Sequence, residues 1–156
     1  DADALLPMTV DTDDFMANHF NNLNSDIYAN SWISVITETY VDDKQLLIGE
    51  KVFKPMWCCS PFMVLGSAGT LTKLRQRGFM TFGSLWDESY DLMPELDDRI
   101  SAIIQQLHWL ISLPDLAGHM AKAQRAVTHN RRLAQTAWRD SDEYVRLVDI
   151  YHGIAA

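Results

Sequence analysis

The chain has 156 residues, 47% of them hydrophobic and 22% charged, with 7 Gly and 5 Pro, a mix that suits one globular core and excludes collagenous and disordered classes. Its formal net charge of −8 opposes a sequence-independent grip on nucleic acid, which Lys and Arg supply by neutralising phosphates. A small anionic ligand stays possible, because a few local charges decide that.

The two cysteines are the neighbours Cys58 and Cys59 inside an apolar run. They cannot staple distant parts of a fold, and they read as buried thiols of a reducing compartment. No apolar run reaches the roughly 18 to 20 residues of a membrane span, and the acidic start has neither the basic region nor the apolar core of a signal peptide. A cytoplasmic location without a membrane span is expected. The missing initiator Met leaves open whether the chain is one domain of a longer protein.

In chain order, Asp1, Asp3, Asp11, Asp13 and Asp14 surround Leu5-Leu6-Pro7-Met8, an acidic lead-in with room for a short strand. Asp13 suits an N-cap, and Phe15, Met16, His19, Phe20 and Leu23 recur at helical spacing up to Asn24. Residues 32–39, Trp-Ile-Ser-Val-Ile-Thr-Glu-Thr, are rich in β-branched side chains and predict a central strand. After the polar Asp42-Asp43-Lys44-Gln45, a short helix is expected over 49–59, kinked at Lys54 or beginning at Pro55, since proline disfavours a helical residue before it. Residues 61–65 then predict a buried strand, Gly66 a turn, 70–77 a helix stopped by Gly78, and 79–82 a third strand. Strand, helix, strand, helix, strand is the pattern of a parallel sheet wrapped by helices.

Beyond Asp91 helical periodicity takes over. Ile100, Ile103, Ile104, Leu107, Leu110 and Ile111 form one apolar face over 96–113, ended by Pro114. A second helix with Lys122, Arg125, Arg131, Arg132 and Arg139 on its outer side is expected over 115–139, and a third over 141–152. The basic side reads as a solvated face, or as a homodimer contact for the acidic lead-in of a second copy.

Ligands in open α/β sheets sit outside the carboxyl ends of strands and at helix starts. That edge holds Thr37, Glu38 and Thr39 after the first strand, Glu50 and Lys51 at the helix start, and Gly66 and Ser67 after the second strand. Glu50 can accept hydrogen bonds from a ribose diol while Lys51 meets a diphosphate, or the pair can simply complement the helix end in solvent. Glu38 meets a sugar hydroxyl or faces water. Gly66 and Ser67 let backbone approach a phosphate or form an ordinary turn.

The runs Val35-Ile36-Thr37-Glu38-Thr39, Ile48-Gly49-Glu50-Lys51-Val52-Phe53-Lys54-Pro55 and Ser60-Pro61-Phe62-Met63-Val64-Leu65-Gly66 resemble the donor-binding (C-terminal) half of two-Rossmann-domain (GT-B type) glycosyltransferases. They are most similar to the α-1,3-fucosyltransferase type. Gly69-Thr70-Leu71, Leu74-Arg75, Gly78-Phe79, Thr81-Phe82 and Asp87-Glu88-Ser89-Tyr90-Asp91 also resemble a group of uncharacterised bacterial and viral proteins associated with that half-fold. The likeness covers roughly 32–91. It implies an α/β, Rossmann-like three-layer domain with a small parallel sheet and a helical C-terminal region. It implies that Glu50 binds the nucleotide ribose and Lys51 the phosphates of a nucleoside-diphosphate sugar, which is a substrate and not a cofactor. Gly49 departs from the aromatic or β-branched residue usual there, and the acceptor half with its catalytic base has no counterpart, so the catalytic residue is unassigned.

One domain over 1–156 follows, with the lead-in and helix at 1–31, the nucleotide-sugar core at 32–91 and the C-terminal helices at 92–156. Asp87, Glu88 and Asp91 could hold acceptor hydroxyls or a metal, whereas a packing reading has Asp87 or Ser89 cap a turn over Trp86 and Tyr90. Asp11-Thr12-Asp13 spells the Asp-x-Asp of metal-dependent transferases but sits in the lead-in. His19, His108, His119, His129 and His152 lack ligand spacing, so no metal site is expected. Transfer to an acceptor hydroxyl, with an N-terminal acceptor domain as partner, competes with a noncatalytic interaction or assembly module that retains the glycosyltransferase-like fold.

Overall fold

The computed structural model describes residues 23, 25–41, 46 and 48–139. The Asp13 cap and its helix, Asp11-Thr12-Asp13, the loop at 42–45 and the helix expected over 141–152 lie outside them. The first described element is α1 (Ser25–Ala29), just past the expected helix end at Asn24. Its last turn is closed by side chains, with Asn30 Nδ2 donating to Asp26 O at 2.9 Å and Ser31 Oγ to Ile27 O at 2.6 Å.

Two strands pair in parallel, β1 (Ser34–Thr37) and β2 (Phe62–Leu65), with Ser34 opposite Phe62 and Thr37 opposite Leu65. Phe62, Met63 and Val64 are buried, whereas β1 buries Ile36 and exposes Val35 and Thr37. Apolar runs are what strands covered on both sides require, so β2 lies deeper in the fold than β1. The crossover is a 3-10 turn (Glu50–Val52) running into α2 (Phe53–Trp57). The α-helix begins at Phe53 and not at Pro55. Pro55 is its third residue, where a backbone N–H would lack an intrahelical acceptor anyway, so proline costs nothing there.

Helix α3 (Thr70–Gln76) ends as predicted, with Gly78 at φ +88° and Phe79 N–H bonded to Leu74 O at 3.1 Å. The third strand expected over 79–82 does not form. The Asn130 side chain accepts from Met80 N–H and donates to Met80 O, both at 2.8 Å, and Glu88 Oε1 accepts from Phe82 N–H at 2.6 Å. A carboxamide presents a donor and an acceptor side by side, as a peptide group does, so it stands in for a neighbouring strand. Phe79 and Phe82 still pack inward, Phe82 edge-on to Phe62 at 5.0 Å and beside Trp86 at 5.5 Å.

The rest is helical: α4 (Leu96–Ile111), α5 (Leu116–Ala121) and α6 (Gln124–Arg139). Of the apolar face predicted for α4, Ile103 and Leu110 are buried and Ile104 and Ile111 are exposed. The single helix expected over 115–139 is two, broken around Lys122 and Ala123. The break lets Met120 on one side and Ala126, Val127 and Ala134 on the other share one core. The described chain is thus a mixed α/β fold with a two-stranded parallel sheet. None of its helices is long and apolar enough to cross a membrane.

Candidate functional site

At the carboxyl end of β1 the chain brings together residues far apart in sequence. Glu38 is buried, and its Oε1 accepts from Gly49 N–H at 2.9 Å. A Cβ at position 49 would stand 2.8 Å from Glu38 Oε2, closer than real contacts allow. Glycine at 49, a departure from the resemblance above, is therefore what seats this carboxylate. Glu38 does not face water; it braces the turn that carries Glu50 and Lys51.

Lys51 is exposed, and its Nζ donates to Thr37 O at 3.1 Å and Thr39 Oγ1 at 3.5 Å. Both acceptors are neutral, so these bonds leave the ammonium charge able to meet an anion. The backbone of Glu50 opens the 3-10 turn; its side chain lies outside the description. Thr39 is thus within reach of Lys51, on the same edge as Glu38 and the 49–51 turn.

The loop after β2 is tied down from within. Ser67 is buried and donates from Oγ to Tyr40 O at 3.2 Å, while Thr70 Oγ1 donates to Ser67 O at 2.6 Å. Gly66 is needed for that second bond, since a Cβ there would come within 2.6 Å of Thr70 Oγ1. Gly66 and Ser67 therefore stand on the same edge as Lys51, joined to the β1 side through Tyr40.

The carboxylates at 87–91 divide by burial. Asp91 is buried and caps α3, accepting from Leu71 N–H at 2.7 Å and from Thr72 N–H and Oγ1 at 3.0 Å each. Arg75 stands 3.8 Å from Asp91 and 3.1 Å from Glu88. Glu88 also accepts from Thr81 Oγ1 at 2.8 Å. Burial raises the pKa of Glu88 above the ordinary glutamate value, against the pull of Thr81, Phe82 N–H and Arg75. Asp87 is exposed, accepting from Ser89 N–H at 2.9 Å and Ser89 Oγ at 2.8 Å, and those two bonds lower its pKa. Trp86 and Tyr90 pack beneath this turn, and Tyr90 Oη accepts from Val64 N–H at 3.4 Å.

No protein-family model, curated protein or solved structure matches this chain. Among the described residues, no three His, Cys, Asp or Glu side chains stand close enough together to hold a metal ion.

Three residues that hold loops of this fold in place are not marked for those roles in the sequence. Asn130 lies fifty positions from the backbone it serves. Gly49 looked like a departure from a pattern, and its meaning appears only with Glu38 beside it. Arg99 is buried on α4 and donates to Met93 O and Pro94 O at 2.7 Å each and to Val41 O, tying the loop after β1 to the start of that helix.

Proposed function

We propose that this chain is the nucleotide-sugar-binding half of a glycosyltransferase, using the carboxyl edge of β1 and β2 as its donor site. The observation that carries the reading is the convergence of Lys51, Thr39 and the Glu38-braced turn bearing Glu50 at the end of β1. An exposed ammonium there suits a diphosphate, and a carboxylate on the neighbouring residue suits a ribose diol. Asp87, exposed beyond α3, is the carboxylate of its cluster best able to meet an acceptor hydroxyl. Transfer breaks the bond between the anomeric carbon and the diphosphate oxygen, so Lys51 would act on the leaving group by electrostatic stabilisation. The base that deprotonates the acceptor would come from an acceptor domain.

A second reading, the noncatalytic assembly module, is favoured by one specific feature. Asp91 already caps the start of α3, and Glu38 takes the backbone N–H just ahead of the 3-10 turn; helix starts are positions that an anionic ligand commonly uses.

Calorimetric titration with GDP, UDP, CMP and ADP separates the two. The donor-half reading expects saturable binding of one nucleoside diphosphate, weakened about tenfold or more in Lys51→Ala, the loss expected of one hydrogen bond to a charged group. It also expects weaker binding in Glu50→Gln. Absence of saturable binding by the folded chain at millimolar nucleotide rejects that reading in favour of the module.

A further inference from the structure

The charges of this chain are segregated. Ten of its 13 Lys and Arg, and none of its 21 Asp and Glu, fall within residues 51–86 and 116–139. Those two stretches pack together: α2 lies on α6, the Asn130 side chain holds Met80, and His129 Nε2 donates to Gly78 O at 2.8 Å. The net charge of −8 therefore belongs to the rest of the chain. Two neighbouring carboxylates, Glu88 and Asp91, reach this body, and both pair with Arg75. Among the described residues, no carboxylate pairs with Arg77, Arg125, Arg131 or Arg132.

These arginines share one surface. Arg125, His129 and Arg132 are exposed in a single stripe on the outer face of α6, with the two arginines about 10 Å apart along the axis. Arg77, exposed at the end of α3 beside Gly78, flanks the stripe next to His129. Arg131 flanks it on the α2 side, with Nη1 3.9 Å from Cys59 Sγ. Neither Cys58 nor Cys59 is fully buried, which corrects the expectation of two core cysteines. Between the cations the face is polar: Gln124, Thr128, Gln135 and Thr136 complete it, and it exposes no large apolar side chain among the described residues.

We propose that the outer face of α6, with Arg77 and Arg131 at its flanks, binds the phosphodiester backbone of a nucleic acid without reading its sequence. A lipid surface is held by apolar side chains that enter it, and a protein partner by buried aromatic or aliphatic anchors; this face offers neither. Arginine forks, carboxamides and hydroxyls are the groups that meet phosphate and sugar oxygens. The stripe from Arg125 to Arg132 is as long as about three phosphates of one strand. With no aromatic ring exposed on the face to stack a base, affinity comes from the backbone alone. The surface also lies off the donor edge, since Cys59 precedes the amino end of β2 while Lys51 stands at the carboxyl end of β1. Nucleotide binding there and backbone binding here can therefore fail separately.

The test follows the fluorescence anisotropy of a labelled oligouridine of about 20 nucleotides, and of a DNA duplex of equal length, as the full chain is added at about 20 mM salt and upward. Saturable binding is expected. On the single strand its logarithm should fall with the logarithm of salt at a slope of about −3, from four arginines at about 0.7 per phosphate. Arg125→Gln and Arg132→Gln, both on exposed side chains that leave the fold intact, should each weaken binding several-fold and flatten the slope by about 0.7. Four results would each overturn the proposal: no saturable binding to either nucleic acid at the lowest salt; binding unchanged in the double variant; displacement of the oligouridine by polyglutamate at equal charge, which would make the face an acidic-peptide site; or retention on phosphatidylserine vesicles without nucleic-acid binding, which would make it a membrane contact.

Discussion

Replacing Asp91 with Asn tests the network that holds the carboxyl edge together. The carboxylate takes three hydrogen bonds at the start of α3, from Leu71 N–H, Thr72 N–H and Thr72 Oγ1. Asparagine keeps one oxygen for Leu71 and turns an NH₂ group toward the two Thr72 donors. One part-buried N–H, that of Thr72, then loses its acceptor, at about 1–3 kcal/mol, and the negative charge at the helix start goes with it, at about 0.3–1 kcal/mol. The ion pair to Arg75 adds little, because that side chain is 44% exposed. We expect a total loss of about 1–4 kcal/mol, a large share of the roughly 5–15 kcal/mol that holds a domain folded. Urea denaturation should show a lower midpoint at unchanged slope. Asp87→Asn, on an exposed carboxylate, should leave the midpoint where it was. A loss below about 0.5 kcal/mol in Asp91→Asn, the size of an ordinary surface change, would refute the assignment of Asp91 as the cap that fixes α3.

Two further outcomes follow from the same contacts. Asn130→Ala should cost about 2–4 kcal/mol by leaving both polar groups of Met80 without their side-chain partner; a urea midpoint close to that of the parent chain would show that 79–82 is held by something else. Glu88 has a raised pKa in the fold, so between its unfolded and folded values the native chain holds a proton the unfolded chain has lost. Its contribution is present below the unfolded pKa and is lost as pH rises through the folded one. Glu88→Gln should flatten that part of a melting-temperature profile just above the ordinary glutamate range, and an unaltered profile counts against the buried placement.

The parts of the fold readable from sequence are those decided by neighbours along the chain. The β-branched run before Glu38, the apolar run before Gly66, the Gly78 stop and Pro114 act over a few residues, and the corresponding elements stand within a few positions of their expected places. The misses come from distant groups. Residues 79–82 have the composition of a strand, yet Asn130 and Glu88 take up their backbone before another strand can. The helix expected over 115–139 has unbroken periodicity, and its interruption serves a core assembled from both pieces. At the site, Glu50 and Lys51 were visible as a charged pair at a helix start. That Glu38 would turn inward to brace them was not, because the observation needed was the missing Cβ at position 49.

This last contact bears on how the edge could work. A buried carboxylate bonded to the backbone N–H just ahead of Glu50 fixes the turn before any ligand arrives, and a fixed turn loses less entropy on binding than a free one. Glu38 would then raise affinity without touching the ligand, and the close approach of position 49 gives a way to separate that effect from direct contact. A Cβ added at 49 displaces Glu38 while leaving Glu50 and Lys51 intact in sequence. If bracing matters, the added methyl group weakens binding although every contacting side chain remains. If Glu38 only fills space, the same change costs stability and leaves affinity alone.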